Sequence, residues 1–187
     1  MIAMKRKTTK EILAESFLEL AKTNRIDKIT ISDIVKNCGM SQPTFYNHFK
    51  DKYDMMVWLH INSSNEIMLK IGKNGYEWRD TLYEGIRSYH ENRDFVLNAL
   101  KHTSGQDSFR LYVQRINYDL LVGEVRKQLM TEHIPDEILG IIKIYVLGTV
   151  QYILDWILND MDLSPDQIAE ICEKSLPEPL KQYLYDD

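Results

Sequence analysis

Two helix starts lie eleven residues apart with a glycine between them, and this leaves residues 29–52 few ways to fold. In Thr30-Ile31-Ser32-Asp33 the threonine hydroxyl and the Asp33 carboxylate can each satisfy an N–H group that a helix start leaves orphaned. Ile31, Ile34 and Val35 then fall inward on a short helix. Gly39 can take the left-handed conformation that ends it. Ser41 caps the next helix, whose first turn holds Pro43, where a missing N–H costs nothing. Two short helices joined by a glycine-containing turn describe a helix-turn-helix.

Helical signals recur along the rest of the chain, and no period-two run bounded by turns marks a strand. Thr8-Thr9-Lys10-Glu11 is another capping box, followed by Ile12, Phe17, Leu20 and Ala21 toward about Lys22. A fourth helix runs from Asp51 to about Lys70, and Gly72 to Gly75 reads as a break. Further helices are expected over about 78–91, 93–102 and 107–131. Pro135 and Asp136 start the next. From Ile138 to Leu158, 15 of 21 residues are apolar and distributed all around the helix, so it needs cover on most sides. Lys143, Gln151 and Asp155 inside that run argue against a membrane span. One face is expected on the chain's own core and the other on a partner subunit, the alternative being that all of it is internal core. Ser164-Pro165-Asp166-Gln167 caps a further helix with Ile168, Ile171, Cys172 and Leu176 as its stripe, which could complete a bundle of helices from two chains.

The expected fold is therefore all-α: a three-helix, homeodomain-like head over residues 1–52 and a larger helical body over residues 53–187. The body would form a homodimer through about 136–159 and 164–176. Charge divides the same way. Residues 1–52 hold ten Lys/Arg against six Asp/Glu, and the remainder holds thirteen against twenty-two. A basic head on an acidic body suggests that the head meets a polyanion. The two cysteines, Cys38 and Cys172, stand far apart outside any CxxC setting and fit a reducing, cytoplasmic compartment.

The segment Gln42 to Lys52 is crowded with aromatic and polar groups that cannot all be core. Phe45 and Phe49, four apart, share one face and can anchor the helix. Gln42, Pro43, Thr44, Tyr46, Asn47 and His48 are then left mainly outside, as a helix entering a groove about 12 Å wide requires.

Here the residues carry a family likeness. Thr30-Ile31-Ser32-Asp33-Ile34-Val35, followed by Gly39-Met40-Ser41-Gln42-Pro43-Thr44-Phe45-Tyr46-Asn47-His48-Phe49-Lys50-Asp51-Lys52, resembles the DNA-binding domain of TetR/AcrR-family transcriptional regulators over about residues 8–60. The resemblance implies a double-stranded DNA operator and a role for Ser41 and Gln42 at the start of the reading helix. Gln42 would contact a base edge, for which an amide suits adenine, and Pro43 a thymine methyl. Thr44, Tyr46 and His48 would contact phosphates, Asn47 either backbone or base, and Thr30 and Lys52 phosphates beside helix starts. Ser32 stands where some relatives place a base-reading arginine. Lys5, Arg6 and Lys7 form a basic arm that could reach a neighbouring groove.

The resemblance further implies a small-molecule pocket in the body, with Trp58, Tyr89, Phe109, Tyr112, Tyr118 and Tyr152 as candidate aromatics. It implies repression relieved by that small molecule, with an activator controlled by a protein partner as the alternative. The run Trp78, Leu82, Ile86, Asn92 and Phe95 resembles a subgroup that includes regulators of dihydroxyacetone utilisation, some of them activators. An all-α enzyme or carrier is the reading from another class, and the sequence offers it little. His90-Glu91-Asn92-Arg93-Asp94 lacks the second histidine of a zinc motif. Asp160, Asp162, Ser164 and Asp166 alternate like a calcium loop, but Pro165 stands where that loop turns on glycine, and Ile171 where it needs glutamate. No metal, cofactor or catalytic residue is expected.

Overall fold

A computed structural model of the chain describes residues 7–105, 108–129 and 133–185, and these are all helix, turn and loop. Ten α-helices follow one another: α1 (Thr9–Ala21), α2 (Ile31–Asn37), α3 (Gln42–Tyr46), α4 (Lys52–Met68), α5 (Trp78–Glu91), α6 (Arg93–His102), α7 (Phe109–Leu129), α8 (Asp136–Asn159), α9 (Pro165–Lys174) and α10 (Glu178–Leu184). A short 3-10 turn, Ile26–Lys28, separates α1 from α2.

In the head, each start is fixed by its own side chains. Thr8 and Glu11 cap α1 reciprocally, and Thr30 and Asp33 do the same for α2. At the end of α2 the Met40 N–H donates to the Val35 carbonyl at 2.8 Å and Gly39 N–H to Lys36 at 3.3 Å. Gly39 sits at φ +69, where any side chain is strained, so this residue sets the angle at which α3 leaves α2. Leu13, Phe17, Ile26, Ile34 and Phe45 are fully buried where α1, α2 and α3 meet. Ser16, buried among them, donates to the Ile34 carbonyl at 2.7 Å and pins α1 to α2. Truncating Phe45 to alanine would cost about 3–5 kcal/mol, because nothing else fills that volume.

One apolar core runs on from the head into the body through Met55 and Met56 of α4. Within the body α5 lies along α9, and α7 and α8 form a long antiparallel pair closed at one end by α10. Tyr145 links three of these elements: its hydroxyl donates to the Cys172 carbonyl at 3.0 Å and accepts from Trp78 Nε1 at 3.4 Å. Arg93, opening α6, donates to the Ile157 carbonyl and to Asp160 at the far end of α8.

One expectation changes. The stripe on α9 is used within the chain: Ile168, Ala169, Cys172 and Leu176 are buried as α9 packs along α5, and Ile171 faces outward. The face without internal cover lies on α8 and its neighbour α7, where Ile144 is 76% exposed and Leu147 and Leu111 are also open. By length and composition alone α8 could cross a bilayer, yet Tyr145, Val146, Val150, Ile153, Leu154 and Ile157 are buried against the chain itself. The segment Asp160–Asp166 is a helix end and a helix start: Asp160 stops α8 at φ 53, and Ser164 caps α9.

Candidate functional site

The outward surface of the head follows from how α3 is held. Ser41 Oγ accepts from the Thr44 N–H at 3.3 Å and shares a hydrogen bond with the Thr44 hydroxyl at 2.8 Å, which fixes the first turn. Phe45 and Phe49 point inward, and the ring of Phe49 meets Trp58 of α4 edge-on with centroids 5.7 Å apart. The Lys10 ammonium stands over both rings. Gln42, Pro43 and Asn47 are exposed, Tyr46 is 57% exposed, and Thr44 and His48 are half-buried. Thr30 is exposed at the start of α2, where its hydroxyl is engaged with Asp33 at 2.6 Å. So bulky side chains of low charge stand in solvent on a firmly anchored short helix, an arrangement that suits a groove. Lys28, Lys36 and Lys50 are exposed on the same head. Lys5 and Arg6 lie outside the described residues, and Lys7 pairs with Glu15 at 2.7 Å.

Lys52 is engaged within the chain. Its ammonium donates to the carbonyls of Ile26, Asp27 and Ile29 at 2.7, 3.0 and 2.8 Å. An ammonium has three N–H donors, and all three are directed at the turn between α1 and α2. The side chain therefore joins α4 to that turn. Burial lowers its pKa, with Asp27 and Asp51 opposing.

In the body, a partly open cavity of about 170 Å³ lies between α4, α5, α6 and α7, with Leu18 of α1 at its edge. An adjoining lobe of about 90 Å³ shares Ser64, Ile67, Gly85 and Tyr89 in its wall. At the junction, His60 Nε2 lies 3.5 Å from the Tyr89 hydroxyl and 3.3 Å from Asn117 Nδ2. The Asn117 amide is held by a further bond to the Val113 carbonyl at 2.8 Å. Burial holds the His60 pKa down at about 4, so the ring is neutral at pH 7, and burial pushes the Tyr89 phenol up.

Of the six aromatics singled out in the sequence, Tyr89 and Phe109 line this cavity. Trp58 is committed to Phe49, and Tyr118 and Tyr152 pack against the core. Tyr112 is half-buried on α7, outside the lining. The sequence marks neither polar member as part of a site: His60 reads as a lone histidine with a surface or core role, and Asn117 as a single polar residue on a helix. Among the described residues no group of three or more His, Cys, Asp or Glu is disposed to hold a metal. His90 stacks on Trp156, with centroids 5.6 Å apart.

Comparison with known proteins places both halves. Residues 18–57 match the model for bacterial regulatory proteins of the tetR family, and residues 76–178, more than half the chain, match that for a transcriptional regulator C-terminal region. Over 87 residues the chain is 29% identical to the HTH-type dhaKLM operon transcriptional activator DhaS of Lactococcus lactis subsp. lactis (strain IL1403). That match spans 46% of each protein, just under half the length of the relative. Among solved structures, the dihydroxyacetone kinase operon activator DhaS superposes with a TM-score of 0.67 at 20% identity, covering 94% of this chain and 98% of that one. A TetR transcriptional regulator from Streptococcus agalactiae 2603V gives 0.63 at 15% identity, covering 91% and 94%. At these identities the superpositions show the shared fold.

Proposed function

The chain belongs to the TetR family of bacterial regulatory proteins, and from that premise we propose that it binds operator DNA as a homodimer and represses transcription until a small molecule enters the cavity beside Tyr89. Members of this family are transcription regulators rather than enzymes, and the enzyme reading is set aside on that ground. The observation that carries the proposal is the anchoring of α3: Phe45 is fully buried while Gln42, Pro43, Tyr46 and Asn47 stand exposed on the same short helix.

In this reading the head of residues 1–52 contacts DNA and the body of residues 53–187 controls it. The Gln42 amide reads a base edge and Pro43 meets a thymine methyl. Ser41, Thr44, Tyr46, Asn47, His48 and Thr30 position the head on the backbone, with the exposed lysines supplying the salt-dependent attraction. The uncovered face of α8 and α7 around Ile144, Leu147 and Leu111 holds two copies together. Half-sites one helical turn apart lie about 34–36 Å centre to centre, so a small pivot of the body takes both heads out of register. Free thiols at Cys38 and Cys172 fit a cytoplasmic protein.

Activation is the second reading, favoured by the Lactococcus lactis relative, which is named an activator. A gel shift with the DNA upstream of the gene tests binding. A transcript measurement after deletion of the gene gives the sign: a rise supports repression, and a fall supports activation. An absent shift with any upstream fragment would overturn both.

A further inference from the structure

The turn between α1 and α2 is tied to the body by two routes. One is α4, which Lys52 fastens to the turn and which runs on as a continuous helix to pack against α7. A head carried by a single helix keeps freedom to swing about it. The second route is α6. Asn98 holds the Ile26 N–H and the Ala21 and Asn24 carbonyls. The ring of Phe95 meets Phe17 of the head core edge-on, with centroids 6.1 Å apart.

α6 is in turn fastened to α8 through Arg93. The Arg93 Nη2 donates to the Ile157 carbonyl at 3.0 Å and to Asp160 Oδ1 at 2.9 Å. Arg93 opens α6, where the partial positive charge of its own helix start opposes a cation. The end of α8 is the reverse: its last carbonyls lack partners within the helix, its last turn holds no basic residue, and Asp160 follows it. The guanidinium thus serves α8 rather than the helix that carries it. Asp160 is 87% exposed, so the ion pair alone contributes little, and the charge-assisted bond to the carbonyl is the firmer anchor. Apolar burial between α6 and α8 is non-directional, and this bond supplies the direction that sets their register. Arg93 and Asn98 stand five positions apart, so their side chains leave α6 about 140° apart, one toward α8 and the other toward the head. α6 is therefore a strut, roughly 15 Å long, between the head and the helix whose outer face bears Ile144 and Leu147.

We propose that Arg93 is a positioning residue for operator binding: by locking α6 to the end of α8 it fixes the orientation of each head relative to the face that joins two copies, and so sets the half-site spacing the pair accepts. This rests on the reading of α3 as the DNA-contacting helix and of the α8 face as the contact between copies.

Half-site spacing is the readout, because a residue that only adds stability would not move it. One base pair added or removed between half-sites shifts them by about 3.4 Å and turns one against the other by about 35°. Affinities of the full-length parent, Arg93→Gln and Arg93→Lys are measured on the operator found upstream of the gene, on the two altered spacings and on a duplex carrying one half-site. The parent should lose at least about ten-fold in affinity at either altered spacing. Arg93→Gln should sediment as a dimer and bind the single half-site as the parent does. It should bind the native spacing more weakly, since ordering a loose head costs affinity, and lose less than about three-fold at the altered spacings. Lysine is one bond shorter than arginine, so Arg93→Lys should give an intermediate profile, and it decides the matter if the glutamine variant does not melt cooperatively.

A profile as sharp as the parent's in Arg93→Gln, or in Arg93→Lys where glutamine is not tolerated, overturns the assignment and leaves operator binding standing. Equal losses on the single half-site and on the operator overturn it too, because the defect then lies inside the head. So does a parent indifferent to spacing. A parent that binds no duplex overturns the operator reading along with it.

Discussion

Asn98 on α6 closes its carboxamide over the turn that carries Ile26. Its Oδ1 accepts from the Ile26 N–H at 3.0 Å, and its Nδ2 donates to the carbonyls of Ala21 and Asn24, each at 2.7 Å. Lys52 of α4 binds the Ile26, Asp27 and Ile29 carbonyls of the same turn. The connection between the first two helices of the head is therefore held by two elements that lead into the body. Phe95 and Val96, on the same helix as Asn98, line the cavity. A shift of α6 on ligand entry would thus reach the head directly. Asn98→Ala leaves one donor and two acceptors without these partners, and the expected loss is about 1–3 kcal/mol in a urea melt with an unchanged slope. A midpoint unmoved by the substitution would remove Asn98 from this linkage.

Lys52→Met separates two roles for that lysine. If its ammonium serves the turn, the variant loses about 1–3 kcal/mol of folding stability. The slope of log affinity for DNA against log salt then stays as in the parent, because no phosphate contact is lost. A slope shallower by about one unit, with stability intact, would instead make Lys52 a phosphate ligand.

Gln42→Ala tests base reading. Loss of a bidentate amide contact should reduce discrimination between cognate and altered half-sites by about 1–3 kcal/mol, measured by competition binding. Folding stability should stay within about 0.5 kcal/mol, since the side chain is exposed. Equal affinity of parent and variant for every sequence would take Gln42 out of the base-contacting set.

His60 makes a pH prediction with a definite sign. In the folded protein burial holds its pKa down at about 4, while unfolded histidine titrates near 6.5. Above that value both states are neutral and the group contributes nothing to pH dependence. Between about 6.5 and 4 only the unfolded chain takes up the proton, so stability falls with pH by up to about 1.4 kcal/mol per unit. His60→Gln should lack this component, and subtracting the two stability profiles isolates it. Parallel profiles through that window would show that His60 is not buried as a neutral ring.

Ile144→Glu addresses assembly. A carboxylate on the exposed face of α8 should shift sedimentation from dimer to monomer and weaken operator binding, with the monomer still helical by circular dichroism. An unshifted dimer would place the interface elsewhere.

Much of this was readable in the sequence, and the parts that were not have physical reasons. Capping boxes at Thr8, Thr30 and Ser164 mark helix starts through local chemistry, so those elements were legible. The helix α10 escaped notice because Pro177 at its start makes no side-chain cap. A stripe such as Ile168, Cys172 and Leu176 says that a helix needs a partner and is silent on which, and α5 took the place given to a second chain. For Lys52 the sequence shows a charge beside a helix start. That its three acceptors come from about 25 residues away is a consequence of the fold alone. The cavity is likewise tertiary: His60, Gly85, Tyr89 and Asn117 stand on three helices and share no local pattern.

The most direct test of the central claim, that the exposed surface of α3 reads duplex DNA as one half of a symmetric pair, is a DNase I footprint across the region upstream of the gene. It is made with the parent protein and with a Gln42→Ala, Tyr46→Ala double variant of matched melting temperature. The expected result is a protected site with two inverted half-sites for the parent and no protection for the variant at the same concentration. The same protected bases with both proteins, or no protected site with either, would contradict it.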